Sequence, residues 1–592
     1  MSLRFIPSWL TEDDAFAQAL DATSEGGQLV VPAGAYAPVV ASSAAQRGAG
    51  SVTVVVCATG RESDSLRDQL RSLVEEGAEV LDFPAWETLP HERLSPHPET
   101  TARRRSALRA LWQAGRNPRR NSLIVVASIR AMVQRINPEI ARFTPWIALE
   151  GSSEHSLGEW VSYLLEAAYQ RVDLVTRRGE FALRGGILDV FPPLSDHPLR
   201  LDFFGDTIDN MTYFTVSDQR SLPDHVSSLS LEPAREMLIT DTVKAKAREL
   251  AGEYPGLGTL LEKIAEGIPS EGMESLQPLL VGTLVAPASL APEDAVFIEV
   301  SSQKVAARAE ILHHTNREFL QAAWEAAALT GTNAPVDLAS GDFLSRDEVL
   351  ASVSPRPWIS LDSLDTGDVA SVRVEAAALP IGTPGSEEIW DFVAQRARAG
   401  DRVVCVMAGH GLIERTGDLL GERDIPHRSD DSPNPSMTPG VVLIVQGALA
   451  EGLWLPGAGL VVVSEKELFG KAVSASPRSN RTLATKRTRV VDPLQLSAGD
   501  YVVHDTHGVG KFVELVSREV STGGRDAIKS LREFVVMEYA PSKRGGPPDR
   551  LSVPTDQLHL LSHYVGSDQP TLSKMGGSDW AATKGKARKA VR

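Results

Sequence analysis

The sequence predicts a multidomain α/β protein: an α/β module interrupted by a β-rich insert, a second α/β domain, and a small C-terminal β-barrel of Tudor-like or SH3-like type. Three observations predict it. The chain has 592 residues, enough for about four domains at roughly 150 residues each. Strand-like apolar runs alternate with helical stretches over residues 28–136 and again over 387–464, the pattern of parallel sheets covered on both faces. Period-two segments punctuated by glycine turns occupy 172–216 and 499–540, which is the pattern of antiparallel hairpins.

In the first module Gln28–Val31, Val52–Cys57, Glu79–Phe83 and Ser122–Ala127 read as strands, with helices over Ser63–Glu76 and Thr101–Gln113. The insert is broken by Arg178-Gly179, Arg184-Gly185-Gly186 and Phe204-Gly205-Asp206. Helices near Thr242–Tyr254 and Gln303–Leu329 flank the strand Asp294–Val300 and return the chain to the first module, which ends near Ser354-Pro355-Arg356-Pro357. The second α/β domain runs through helix Glu387–Ala399, strand Asp401–Met407, helix Gly411–Gly421 and strands Val441–Val445 and Leu460–Ser464. Lys471–Leu496 carries six Lys/Arg against one Asp and reads as an extended linker. The expected boundaries are therefore 1–123 and 214–355 for the split α/β module, 124–213 for the insert and 356–470 for the second α/β domain. The linker follows at 471–496, the barrel at 497–570 and the start of a basic helix at 571–592. That helix lacks a C-cap glycine, so the chain is expected to stop in mid-helix.

Hydrophobic residues make up 42% of the chain, which excludes disorder over most of its length. With 60 Lys+Arg against 77 Asp+Glu the net charge is −17, so the whole molecule does not coat DNA or an anionic membrane, and such contacts must be local. Cys57 and Cys405 each end an apolar run; they read as buried strand residues, excluding a disulfide framework and a cysteine-based zinc site. Apolar runs fall short of the roughly 18 residues of a membrane span, and Met1–Pro7 lacks a signal-peptide core. The expected location is the cytoplasm.

The search for catalytic chemistry returns an absence. Each Gly-Lys pair (Gly470-Lys471, Gly510-Lys511, Gly585-Lys586) is followed by Ala or Phe, so the chain has no G-x-x-x-x-G-K-[ST] phosphate loop. Where an α/β motor would carry that loop, after the first strand, the sequence reads Val31-Pro-Ala-Gly-Ala-Tyr-Ala-Pro38. His559 and His563 are spaced for one helix face but lack a third ligand, His313-His314 and His504/His507 are equally unsupported, and no G-x-S-x-G elbow occurs. Thr101–Arg135 holds nine arginines and no acid, either a DNA-facing strip or a solvated helix face with packing arginines.

Two surfaces stand out instead. Alternation along the insert places Arg200 and Phe204 on one strand face, with Arg184 ending the strand before the glycine turn. Two guanidiniums beside an exposed aromatic make a protein-binding hot spot; in the alternative reading Phe204 is core and the arginines pair with local acids such as Asp202. In the C-terminal segment, Gly508 and Gly510 flank a turn, and Lys511–Arg518 is expected as an edge strand able to extend a partner's sheet.

These motifs carry a family resemblance. Phe83-Pro-Ala-Trp-Glu-Thr-Leu-Pro-His91, Ser95-Pro-His97, Gly179–Pro192 and Arg200-Leu-Asp-Phe-Phe-Gly-Asp206 resemble the N-terminal module of the bacterial transcription-repair coupling factors, itself similar to the excision-repair protein UvrB. Gly499–Tyr564, with His507-Gly-Val-Gly510 and Leu551-Ser-Val-Pro554, resembles their RNA-polymerase-interacting domain, related to CarD-type regulators. The resemblance implies a degenerate UvrB-like, RecA-like module that has lost nucleotide binding. It implies an insert that contacts UvrA through Arg184, Arg200 and Phe204, and a barrel that contacts the RNA polymerase β subunit, expected at Lys511, Phe512 and Arg518. In the family an ATP- and Mg-dependent DNA translocase follows the polymerase-binding domain; here the chain is expected to hold the adaptor part, with no cofactor of its own and DNA contact mainly through that motor. The alternative is a helicase-like ATPase or UvrB-type repair enzyme.

Overall fold

The computed structural model of the chain describes residues 3–89, 94–330, 343–470, 499–504, 508–522, 528–541, 548–554, 561–563 and 572, apart from 217, 368–369, 381, 431, 433–434 and 436. The linker 471–496, the basic helix near 579–592, His507 and His559 lie outside the described residues.

Runs of β-branched residues too apolar for a half-solvated strand form the first sheet. Val52–Cys57 and Leu123–Ser128 are buried along their whole lengths, as a parallel sheet covered on both faces requires. Seven parallel strands lie in the order Ser371–Arg373, Gly27–Val30, Trp358–Asp362, Val296–Val300, Val52–Cys57, Leu123–Ser128, Glu79–Phe83. Two expected boundaries move as a result. Residue 124 falls inside a core strand, and the first module runs past 355, because Trp358–Asp362 and Ser371–Arg373 pair with its strands. The insert instead leaves through a two-stranded ribbon, Trp146–Leu149 against Ser228–Leu231.

The second α/β domain holds His427–Ser429, Val442–Gln446, Arg402–Met407 and Leu460–Ser464 in parallel, edged by the antiparallel Leu453–Leu455. It does not stand apart from the first. Helices Phe5–Thr11, Asp14–Ala22 and Tyr36–Arg47 contribute to one apolar core that includes Val55 and Ile298 of the first sheet and Val404, Leu443 and Leu460 of the second. Arg402 spans the junction, donating to Glu12 at 2.7 Å with its guanidinium 5.0 Å from the Trp9 ring. Cys57 and Cys405 are buried in these cores, and burial pushes both thiols up, Cys405 to about 12.

The insert is a six-stranded sheet ordered Ser221–His225, Thr207–Phe214, Leu199–Phe204, Ile187–Val190, Glu180–Arg184, Gln170–Arg171, antiparallel except at the Gln170–Arg171 edge. The C-terminal segment forms a five-stranded antiparallel sheet ordered Asp549–Pro554, Ile528–Tyr539, Gly508–Thr522, Tyr501–His504, Leu561–His563. Among the described residues no helix is long and apolar enough to cross a membrane.

Candidate docking faces

Alternation in the insert divides its residues cleanly. Phe181, Leu188, Val190, Leu199, Leu201 and Met211 point into a core where none exceeds 1% exposure. The other face carries Arg184, Asp189, Arg200, Asp202 and Phe204, because directly opposed residues of a sheet share a face and the register sets Ala182 and Arg200 against Asp189, and Arg184 and Asp202 against Ile187. The three residues expected on one face are thus brought to one face, in three different environments.

Phe204 is 83% exposed, which disposes of the reading that makes it core. Arg184 is exposed at the strand end and donates to the Asp173 carbonyl. Arg200 is held: Nε and Nη2 reach the two carboxylate oxygens of Asp189 at 2.7 and 2.9 Å, and its guanidinium lies 4.6 Å from the Phe214 ring. That hydrogen-bonded Asp189 carboxylate raises the Arg200 pKa. The local acid is therefore Asp189 rather than Asp202, whose carboxylate accepts from Asn210 at 3.2 Å. The signal was present, since a hairpin through Pro192–Pro198 brings Asp189 opposite Arg200; alternation within one strand does not reveal it.

Much of the arginine-rich segment is packing framework, while Arg116 and Arg120 are exposed. Arg104, fully buried, donates Nε and Nη2 to Glu236 at 2.8 and 3.1 Å and lies 4.5 Å from the Phe83 ring, while Trp86 Nε1 donates to the same carboxylate at 2.6 Å. The Phe83-Pro-Ala-Trp86 motif thereby clamps the chain leaving the insert onto the first module. Arg105 pairs with Glu232 and donates to the Phe143 carbonyl, and burial, with neighbouring Arg109 next, lowers its pKa to about 10. Arg103, Arg119 and Arg135 pair with Asp82, Glu79 and Glu348, and Arg130 donates to the Thr88 carbonyl. Sequence reasoning missed Glu236 because it lies 132 residues from Arg104.

At the position of the expected motor loop, Ala33–Ala35 is a short 3-10 turn leading into helix Tyr36–Arg47. A Cβ on Gly34 would lie 2.1 Å from the Gly452 carbonyl oxygen of the second α/β domain. Glu467 fixes that approach, accepting from the Gly452 amide at 3.1 Å and from the Ser464 amide and hydroxyl at 2.8 and 2.6 Å. At the ends of the neighbouring strands, Asp362 accepts from the amide and hydroxyl of Ser302, both at 2.7 Å, and from Gln28 Nε2 at 2.8 Å.

The C-terminal sheet bears on the edge-strand expectation for Lys511–Arg518 in part. Tyr501–His504 and the Gly499–Asp500 backbone cover residues 508–512 on one side while Ile528–Tyr539 pairs on the other; from 513 to 518 the only pairing among the described residues is with Ile528–Tyr539. The sheet's outer strands are Asp549–Pro554 and Leu561–His563. Phe512 is 6% exposed in the apolar core with Val535 and Met537, so it faces inward. Lys511 stands opposite Glu538 and Arg518 opposite Arg532, the Arg518 side chain lying outside those described. His563 sits in a strand, not on a helix face with His559, and no group of three potential metal ligands occurs among the described residues.

Two family descriptions match the chain: the UvrB interaction domain over residues 147–237 and the CarD-like/TRCF RID domain over 496–565. Curated relatives align across nearly all of it. Transcription-repair-coupling factors of Mycobacterium bovis and Mycobacterium tuberculosis are 41% identical over 587 residues, 95% of this chain and 46% of theirs. That of Bacillus subtilis is 26% identical over 99% of this chain and 49% of its own length. The chain thus spans about half the length of the curated relatives it matches, and its likeness to transcription-repair-coupling factors runs along nearly all of its own length.

Proposed function

We propose that this chain is an adaptor in transcription-coupled DNA repair, binding the RNA polymerase β subunit through its C-terminal domain and recruiting UvrA through the insert. The observation that carries the reading is the pairing, in one chain, of a UvrB interaction domain with a CarD-like/TRCF RID domain. On the insert, Arg184 and Phe204 supply a charged donor and an unburied aromatic, the residue types that dominate protein-binding hot spots, while Arg200 frames them. On the C-terminal sheet, which we read as curling into a Tudor- or SH3-like barrel, polymerase would add a strand to an outer edge such as Asp549–Pro554, the edges being where unpaired backbone groups lie. ATP and Mg belong to a translocase elsewhere in the full-length protein, which would also make most of the DNA contact. The filled approach at Gly34 favours this over a helicase-like ATPase. The location is cytoplasmic.

The test is deletion of residues 497–570. The shortened chain should lose binding to polymerase β in a pull-down while retaining UvrA binding, because the two matched domains lie at separate places in the chain. Polymerase binding that survives the deletion overturns the assignment.

A further inference from the structure

Two tight turns lie side by side at one end of the insert sheet. Gly185-Gly186 joins Glu180–Arg184 to Ile187–Val190, and Gly205-Asp206 joins Leu199–Phe204 to Thr207–Phe214. Gly185 and Gly205 take φ of +62° and +63°, conformations that favour glycine. Gly186 is needed for closeness, since a Cβ there would stand 2.9 Å from the Phe203 carbonyl oxygen. The register sets Ile187 opposite both Arg184 and Asp202, and alternation carries Phe204 onto the same face. One corner of the sheet therefore collects Arg184, Ile187 and Phe204.

The corner is unusual for a solvated surface. Ile187 is 38% exposed and Phe204 83%, and Leu174, which follows the Asp173 whose carbonyl receives the Arg184 guanidinium, is 43% exposed. Among the described residues Arg184 forms no ion pair. Clustered apolar side chains beside an arginine without a counter-ion resemble the centre of an interface, where anchors fill pockets and charge is met by the partner. We propose that Ile187 is a second apolar anchor of the UvrA-docking face, entering with Phe204 an apolar pocket whose rim offers a carboxylate to Arg184. The charge of Arg184, which among the described residues meets the Asp173 carbonyl and no carboxylate, selects an acidic partner surface, and the aliphatic and aromatic pair selects an apolar one. This inference rests on the reading of the insert as the UvrA-docking domain.

Calorimetric titration of UvrA into the folded chain tests it. Ile187→Asp should weaken binding at least about tenfold while melting with the parent, and Ile187→Val should stay within about threefold of it. Parent-like affinity in a folded Ile187→Asp chain overturns the anchor; if the aspartate lowers the melting temperature, Ile187→Ser carries the same two outcomes without a buried charge. Arg184→Glu and Phe204→Ala in the same titration separate the failures. Loss of binding in those two with parent-like Ile187→Asp rejects the anchor alone. Parent-like binding by all three rejects the docking reading itself.

Discussion

Arg200 shows how a residue on a proposed docking face can act through the frame. Its guanidinium forks onto Asp189 and covers Phe214, and the side chain keeps 20% of its exposure while that of Asp189 keeps 3%. Truncating either partner leaves a largely buried charge without its counter-ion, which costs more than the pair contributes. Arg200→Ala and Asp189→Ala should each destabilise the insert by about 2–4 kcal/mol, somewhat less than a wholly buried pair because the guanidinium still touches water. The double variant should cost no more than the worse single, since both remove one interaction. Phe204→Ala, by contrast, should shift stability by less than about 0.5 kcal/mol, as surface truncations do. Urea melts of the four chains decide: additive losses at 189 and 200, or a melt unchanged by Arg200→Ala, would show that the fork is not holding the sheet.

Between elements, close approach governs the junction of the two parallel sheets. Gly34 meets the Gly452 carbonyl so closely that even a methyl group has no room, and Gly452 is itself fixed by Glu467, buried in the capping box of helix Glu465–Phe469. Backbone on both sides cannot yield as a flexible side chain would, so Gly34→Ala should cost roughly 1–3 kcal/mol as overpacking in a tight core. A denaturant midpoint equal to the parent's would mean that the two domains part easily at this seam. The strands and helices flanking the seam were legible in the sequence, because fully apolar runs such as Val52–Cys57 and Leu460–Ser464 have one physical solution in a covered parallel sheet. Which strands lie beside which was not. The first module recruits Trp358–Asp362 and Ser371–Arg373 from beyond its expected end, and the start of Gly508–Thr522 is flanked on both sides. Sheet order depends on partners distant in the chain, and periodicity is silent about them. The two proposed docking faces divide the same way: alternation located Phe204 and Arg184 on the insert, whereas the Asp189 fork and, in the C-terminal sheet, the burial of Phe512 needed the neighbouring strands.

For the whole molecule the decisive question is whether its parallel α/β sheets bind nucleotide. Open α/β sheets bind phosphates at the carboxyl ends of their strands, where a glycine loop leads into a helix and backbone amides converge on the ligand. Here the corresponding turn contains Gly34 but no Lys-Ser/Thr pair, and the approach to Gly34 is taken by a carbonyl oxygen, an acceptor that repels phosphate. The adjoining strand end carries Asp362, whose carboxylate already accepts from Ser302 and Gln28. A net charge of −17 on the chain adds no long-range attraction for a polyanion. Mg-ATP should therefore give no resolvable heat at millimolar nucleotide, corresponding to a binding free energy weaker than about −4 kcal/mol, and it should leave the melting temperature where it was, since a ligand that does not bind the native state cannot stabilise it. A micromolar dissociation constant, or turnover above background that disappears on altering Gly34, would place nucleotide chemistry in this chain and return the helicase-like reading to the front.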